Sequence, residues 1–430
     1  MTLSASGAPD TFVTTLANGV RVLALQMPHL ETVSVSVFVR SGSQHESRTL
    51  NGISHFVEHM AFKGTHLRSC QQINLDAERL GAEVNAHTDK DHTAYHMRGL
   101  LRDTGRLIEM LGDIVQNSTF PEAELERERQ VILHEFLDDE DDGLSTAYKL
   151  FDKTCFGPHP VAQPIIGTRR SIERFSRGDL LGHVQRLYTG ANVIVGVAGA
   201  VDPQRVVEHA EAAFGAMPRG SENTVAPATY VGGITTRRIP GVSQTHVVLG
   251  FPIPSLREDD AASLVAAALF GEGMSSPLMD QIRERLGLVY HAACSADVMD
   301  VCGQFVIEAS TMPEHLERLV GEVMQLLASH AESTDAVGLE RARNQLAVRS
   351  LQSQERPFGR LESAAQDLFV HGRVRTPAEW LQRVHAVSAE QVREAFARML
   401  AVPAALAVAG KVGKSAQERL HELVVSARGH

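Results

Sequence analysis

The sequence predicts an α+β fold in two structurally similar halves. Short stretches in which apolar and polar residues alternate, as in strands, are interspersed with longer stretches of helical spacing. Two stretches in different halves of the chain also resemble each other, which indicates a duplicated domain. A chain of 430 residues is longer than one hydrophobic core usually supports, so we expect two or more domains. Its 43% apolar and 22% charged residues are typical of a soluble globular protein.

The first half of the chain predicts strands and helices that alternate. Residues 11–40 alternate in polarity around a turn at Asn18 and Gly19, and we expect strands at 19–26 and 32–40 to pair with each other. The residues that follow predict, in chain order, helices at 54–65 and 71–80, strands at 83–86 and 93–98, helices at 101–116 and 121–137, and a strand within 191–201.

Two further stretches are distinguished by their composition. Residues 138–142 are all acidic, and we expect a solvated loop there. Residues 218–236 are rich in Gly, Ser, Thr, Pro and Asn, which predicts a linker. The predicted domains are therefore residues 1–217 and residues 237–430, joined by the linker at 218–236.

The two similar stretches show where the halves differ. Residues 124–135 align with residues 338–349, and the alignment places Ala342 opposite Glu128 and Arg349 opposite Glu135. The counterpart of the helix at 54–65 is the apolar stretch 263–270. If the first half binds a metal ion, the second half has lost that ability.

The stretch SHFVEHMAFKGT, residues 54–65, carries the strongest chemical pattern. On a helix, His55 and His59 lie one turn apart on one face and suit two ligands of one metal ion. Glu58 lies at the edge of that face, where a carboxylate can reach a metal-bound water, and this order is the inverted form of a zinc-peptidase motif. Because short motifs also arise by chance, the pattern alone leaves open two ordinary histidines on an amphipathic helix.

A catalytic zinc ion usually has three protein ligands, so one more is required. Glu128 and Glu135 are seven residues apart and lie on one face of the helix predicted at 121–137. Glutamate side chains are abundant and mostly exposed, and the spacing alone does not decide whether either carboxylate binds a metal ion.

Taken together, the motifs resemble those of the pitrilysin-type zinc metallopeptidases, the inverted-motif family that includes mitochondrial processing peptidase and insulin-degrading enzyme. The resemblance covers nearly the whole chain. It rests on the motif at 55–59, Glu135, Gly81-Ala-x-x-Asn85-Ala86-x-Thr88, Thr93-x-Tyr95, Met274-Ser-Ser and Arg283-Glu-x-x-Gly287-Leu-x-Tyr290. Pro277 departs from the pattern, since relatives often have a basic residue there, and this departure concerns substrate preference rather than the metal.

The resemblance implies that each half is a mostly antiparallel sheet flanked by helices, that the two halves form a half-shell, and that each chain holds one zinc ion. It also implies a role for each matching residue: zinc binding by His55, His59 and Glu135, general-base catalysis by Glu58, stabilisation of the metal site by Glu128, binding of the substrate backbone by Asn85 and Ala86, and stabilisation of the tetrahedral intermediate by Arg283 and Tyr290. The last two would act on the zinc ion of the partner subunit.

The expected function is a zinc-dependent endopeptidase that hydrolyses short or unfolded peptides in a chamber formed by two half-shells. The partner would be a second copy or a related zinc-free chain. One alternative is a non-catalytic or scaffold subunit, although such subunits typically lose motif residues that this chain keeps. Another is a metal-binding protein without hydrolytic activity, which would not need Glu58, Arg283 or Tyr290.

The composition of the chain also bears on its binding partners and its location in the cell. A net charge of −11 argues against nucleic-acid binding, because a protein that binds nucleic acid needs a basic face. The apolar stretches are too short to cross a membrane, and residues 1–12 lack the basic start and apolar run of a signal peptide, so we expect a cytoplasmic protein. His87, His92 and His96 cluster near the predicted strand at 83–86, and we expect them not to be metal ligands.

Overall fold

The computed structural model describes residues 10–425, and these form two compact units. Unit 1 comprises residues 10–136, 163–225 and 352–376, and unit 2 comprises residues 137–162, 226–351 and 377–425. One passage between the units, at residues 225 and 226, falls inside the linker predicted at 218–236. The first nine residues, which carry most of the signal-peptide expectation, lie outside the described part of the chain.

Strands and helices alternate along the chain, which confirms the α+β class. The strands are β1 (Thr11–Thr15), β2 (Arg21–Gln26), β3 (Thr32–Val39), β4 (Glu83–Thr88), β5 (Thr93–Leu100), β6 (Val193–Gly199), β7 (Gly233–Arg237), β8 (Thr245–Ile253), β9 (Val289–Val298), β10 (Gly303–Thr311) and β11 (Ala405–Ala409). The helices are α1 (Ile53–Ala61), α2 (Cys70–Arg79), α3 (Thr104–Asn117), α4 (Glu122–Asp141), α5 (Gly143–Phe156), α6 (Arg169–Arg174), α7 (Arg177–Leu187), α8 (Pro203–Phe214), α9 (Ala261–Gly271), α10 (Leu316–Glu332), α11 (Ala336–Glu355), α12 (Pro357–His371), α13 (Pro377–Ala386), α14 (Ala389–Leu400) and α15 (Lys414–Val425). Within residues 10–425, no helix has the length and apolar character needed to cross a membrane.

The sheet of unit 1 has the strand order β1-β2-β6-β3-β5-β4. The turn at Asn18 and Gly19 joins β1 to β2, and Gly19 has a φ of 95°, a conformation that glycine adopts without strain. The predicted pairing of β2 with β3 is wrong, because β6 lies between them, parallel to β2 and antiparallel to β3. Every residue of β6 is buried, so this apolar strand is stable only in the interior of the sheet.

The sheet of unit 2 repeats this arrangement. Its order β7-β11-β8-β10-β9 corresponds strand by strand to β2-β6-β3-β5-β4, and in both sheets only the first of these pairs is parallel. Helices α4 and α11, which carry the two similar sequence stretches, each have 20 residues. The repeat in the sequence is therefore a repeat of the fold.

Each half of the chain contributes one helix to the other half's sheet. The chain leaves unit 1 within α4, and α5 then packs on β11, β8 and β7 of unit 2. It leaves unit 2 within α11, and α12 then packs on β6 and β3 of unit 1. Leu361 of α12 is fully buried against Gly196 of β6, where an added Cβ would come within 2.9 Å of the leucine. The predicted domains, residues 1–217 and 237–430, are continuous and so do not include this exchange of α5 and α12.

The acidic residues 138–142 do not form the predicted loop, because α4 continues through Asp141. Lys149 of α5 lies 2.6 Å from Asp139 and 2.7 Å from Glu140, and Arg237 lies 2.7 Å from Glu140. Asp142 caps α5 by accepting a hydrogen bond from the Leu144 N–H. Cations from two other elements thus offset the repulsion that favours a loop for an isolated acidic run.

Leu361→Ala is expected to lower the free energy of unfolding of unit 1 by about 2–5 kcal/mol, because it leaves a cavity between α12 and the sheet. Hydrogen exchange of the β3 and β6 amides measures the effect. Leu351→Ala is the control: this side chain of α11 is 43% exposed, and its loss should change stability by less than about 0.5 kcal/mol. A larger loss of protection in β8 and β11 than in β3 and β6 would contradict the placement of α12.

His183 of α7 makes the stability of unit 1 sensitive to acid. Its Nε2 lies 3.2 Å from Ser41 Oγ and 3.4 Å from Ser54 Oγ, and burial, with smaller contributions from Arg186 and His45, lowers its pKa from 6.5 to about 3. The unfolded chain therefore takes up this proton at a higher pH than the folded chain. Stability from this group is present above pH 6.5 and is lost as the pH falls toward 3.

His183→Gln, which cannot be protonated, should remove this sensitivity. Between pH 6 and 4, roughly, the free energy of unfolding of the original chain should fall relative to the variant by up to about 1.4 kcal/mol per pH unit. Denaturant titrations of both proteins in the presence of a chelator provide the measurement. Parallel pH profiles would show that His183 is not buried in the neutral form.

Candidate metal centre

Helix α1 presents the histidine pair from a buried and tightly held N-terminus. The Glu46 carboxylate accepts hydrogen bonds from the Gly52 N–H (2.7 Å), the Ser54 N–H (2.8 Å) and the Asn51 side-chain amide (3.0 Å). An acidic group is favourable at this end of a helix, where N–H groups lack intrahelical partners. Burial raises the pKa of Glu46 to about 7, opposed by these hydrogen bonds. Glu46 was not identified from the sequence, because nothing in the local pattern distinguishes it from exposed acidic residues.

His55 and His59 lie one turn apart on α1, with ring centroids 4.6 Å apart. Glu135, from the last part of α4, brings its Oε2 to 3.7 Å from His55 Nε2 and 3.5 Å from His59 Nε2. Ligands of a tetrahedral zinc ion at about 2.1 Å are separated by about 3.4 Å, close to both distances. The three side chains therefore fit one ion, and one ligand atom from each lies within 4.8 Å of the others.

The protonation state of His55 suits metal binding. Burial, together with the neighbouring His59, lowers the pKa of His55 to about 3, so its imidazole is neutral over the physiological range. A neutral imidazole has the free lone pair that a metal ligand needs. Glu135 is less enclosed, with 44% of its side chain exposed, which leaves one side of the centre accessible.

Glu128 lies behind His59 and holds its ring. Glu128 Oε2 is 3.2 Å from His59 Nδ1, and Glu128 Oε1 is 2.6 Å from the ammonium of Lys63. A proton on His59 Nδ1 would be donated to this carboxylate, which leaves Nε2 free to face Glu135. Carboxylates commonly orient metal-binding histidines in this way. Lys63 was not identified from the sequence, although it lies within the stretch that carries the motif.

Glu58 lies beside the pair on the same helix and does not share its contacts with Glu135. Its Oε2 accepts a hydrogen bond of 2.7 Å from the Thr88 hydroxyl at the end of β4. Burial raises the pKa of Glu58, against the effect of this hydrogen bond. The side chain is thus held in place and is a stronger base than an exposed carboxylate.

Asn85 and Ala86 lie on β4, the strand at the edge of the sheet of unit 1. Asn85 is exposed, and its side-chain oxygen accepts a hydrogen bond from the Ala86 N–H. An edge strand has backbone groups without a partner on one side, to which an extended peptide can pair.

Arg283 and Tyr290 belong to unit 2, whereas the histidine pair and Glu135 belong to unit 1. Arg283 lies in a π-helical segment, Met279–Arg285, and Tyr290 lies on β9, the edge strand of the second sheet. The guanidinium is 5.3 Å from the centroid of the tyrosine ring, and 83% of the tyrosine is exposed.

Unit 2 has no counterpart of the metal centre among its described residues. Ala342 of α11 is fully buried where α4 has Glu128. Arg349 takes the place of Glu135 and forms an ion pair of 3.2 Å with Glu272 at the end of α9. At the position that corresponds to Glu135 of unit 1, unit 2 therefore has an ion pair instead of a carboxylate that faces two imidazoles.

The chain is similar to known proteins over most of its length. Residues 21–169 match the family model "Insulinase (Peptidase family M16)", and residues 174–346 match "Peptidase M16 inactive domain". A Rickettsia bellii protein named "Uncharacterized zinc protease" is 33% identical over 400 residues, which cover 93% of this chain and 97% of the relative. Cytochrome b-c1 complex subunit 1 of Bos taurus is 30% identical, over 90% of this chain and 83% of its own length.

The fold is shared with a crystal structure described as a peptidase M16 inactive domain from Pseudomonas fluorescens. The TM-score is 0.85 at 20% identity, and the match covers 93% of this chain and 97% of that one. Family models match both halves of the chain, and relatives match across nearly its full length. The chain therefore belongs to the M16, or insulinase, family of peptidases.

Proposed function

We propose that the chain is a zinc-dependent endopeptidase that hydrolyses short or unfolded peptides. The observation that carries the proposal is the convergence of His55, His59 and Glu135 at separations that fit a tetrahedral ion, with Glu58 beside them. The name of the R. bellii relative supports zinc as the metal. When bound, zinc polarises the scissile carbonyl and lowers the pKa of a coordinated water toward neutrality.

The residues of the chain supply the remaining chemistry. Glu58 accepts a proton from the attacking water and passes it to the leaving amine. The Thr88 hydroxyl holds the carboxylate for this transfer, and burial sets its pKa above that of an exposed glutamate, which favours proton uptake. Glu128 and Lys63 keep the ring of His59 in its ligand orientation.

The substrate is proposed to bind as an added strand along β4, at Asn85 and Ala86. Pairing through the main chain tolerates many side chains but requires an extended peptide, which favours short or unfolded substrates. Arg283 and Tyr290 are proposed to bind substrate and to stabilise its developing oxyanion at the centre of a partner subunit. The partner is a second copy of the chain or a related zinc-free chain.

A scaffold subunit is the second candidate, favoured by the similarity to cytochrome b-c1 complex subunit 1. This chain retains the two histidines, Glu58 and Glu135, and the peptidase is therefore the better-supported function. Cleavage of a peptide library by the purified protein, with and without chelator, separates the two. Gel filtration of the same sample determines whether the active species contains one chain or two.

Glu58→Gln is expected to retain zinc and to reduce hydrolysis by at least about 100-fold, the lower end of what a general base contributes. Zinc content by metal analysis and turnover of a fluorogenic peptide measure the two properties. Glu126→Gln, a matched change of an exposed residue on α4, should leave both unchanged. Full activity in the Glu58 variant would refute the assignment.

Glu128→Gln should weaken zinc binding by about 10–100-fold, since loss of a carboxylate behind a ligand histidine typically has an effect of this size. The glutamine keeps the size of the side chain but loses the charge that faces His59 and Lys63. Competition with a chelator of known affinity gives the dissociation constant. An unchanged constant would assign Glu128 to helix packing alone.

A further inference from the structure

We propose that unit 1 contains a second site for a divalent transition metal ion, formed by His87, Asp89 and His92, with Glu362 of α12 as a fourth ligand. Three of these residues form the pattern H-x-D-x-x-H across the turn between β4 and β5. One ligand atom from each of His87, Asp89 and His92 lies within 4.8 Å of the others. From the sequence we expect these histidines not to be metal ligands, because closeness to a proposed strand does not by itself make a histidine a ligand. The structure adds the carboxylate of Glu362 beside His87.

The distances around His87 suit a metal ion. His87 Nε2 lies 3.1 Å from Glu362 Oε1 and 3.9 Å from Asp89 Oδ2, on either side of the 3.4 Å, approximately, that separates ligands of a tetrahedral ion. The same nitrogen is buried and makes no hydrogen bond, so the glutamate oxygen is close without being aligned with an N–H. A buried ring nitrogen without a partner is unusual, and a bound cation would satisfy it.

His92 has one ring nitrogen left for an ion. Its Nδ1 is 2.7 Å from Asp91 Oδ1, which leaves Nε2 for the ion, as Glu128 does for His59 in the first centre. The Asp91 carboxylate would also stabilise the positive charge of a bound ion.

The turn that carries the ligands is held by the backbone. The Asp89 N–H donates to the His92 carbonyl (2.8 Å), while the N–H groups of Ser43 and Gln44 donate to the carbonyls of Asp89 and Lys90 (3.2 and 2.9 Å). Gly42 allows this approach, because a Cβ there would lie 2.2 Å from the Asp89 carbonyl oxygen. Metal binding therefore requires side-chain adjustment rather than folding of the turn.

The ligand set determines the class of ion. Two imidazoles with carboxylates suit zinc, cobalt, nickel or copper, whereas magnesium and calcium prefer oxygen ligands alone. Three carboxylates, those of Asp89, Asp91 and Glu362, surround the two rings and balance a divalent charge. A bound ion would fasten α12 to the β4–β5 turn, next to Thr88, which holds Glu58.

The test begins by removing the first centre, so that its outcome does not depend on the proposed peptidase activity. In a His55→Ala/His59→Ala chain stripped of metal, titration with Co²⁺ alone is expected to show one bound ion per chain, with the visible absorption of a tetrahedral complex. Adding His87→Ala and His92→Ala to that chain should abolish the spectrum. Adding His134→Ala and His385→Ala instead, both at exposed positions, should leave it intact.

Two further variants distinguish a loss of metal binding from a loss of folding. Asp89→Asn changes a side chain that is 56% exposed, and Asp91→Asn keeps the size of the side chain behind His92 while removing its charge. Circular dichroism should therefore show native helix content for both. Each should weaken Co²⁺ binding, the second by about 10–100-fold. Absence of Co²⁺ binding by the His55→Ala/His59→Ala chain, or binding that survives the loss of His87 and His92, would overturn the proposal.

Discussion

The approach of α4 to α1 is the constraint on which the centre of unit 1 depends. It places a carboxylate beside two imidazoles, at 3.5 and 3.7 Å, in a region that excludes enough water to lower the pKa of His55 to about 3. Bringing polar groups together in this way is unfavourable unless a charge compensates them. The surrounding contacts reduce the cost: Glu46 holds the N-terminus of α1, and Lys63 neutralises Glu128 behind His59.

The two halves have similar folds, but only the first has the polar side chains of the metal centre among the described residues. Five strands of each sheet share one order, and α4 and α11 each have 20 residues, so the second half has a similar framework. There, Ala342 is buried in an apolar core and Arg349 pairs with Glu272. An ion pair needs no external ion to balance it, and α9 is apolar nearly throughout, so unit 2 packs without the polar side chains that unit 1 retains.

The exchange of α5 and α12 gives each sheet a helix from a distant part of the chain. Leu361 packs against Gly196 in unit 1, and Phe151 lies against Gly250 in unit 2, so a glycine in the sheet makes room for each incoming helix. In unit 1 the same helix brings Glu362 to His87, at the strand whose last residue holds Glu58. The proposed peptidase chemistry and the proposed second metal site therefore share one supporting strand.

The sequence by itself determined the features set by local geometry. The spacing of His55 and His59 places them on one face of any helix, the position of Gly81 predicts the end of α2, and the internal similarity predicts two like folds. The tertiary structure alone decided which strands pair, that residues 138–141 remain helical beside Lys149 and Arg237, that Glu46 is buried at α1, and that α5 and α12 change units. The physical reason is that these outcomes arise from burial and charge balance between residues far apart in the chain, and a local pattern of polarity carries no record of its distant partners.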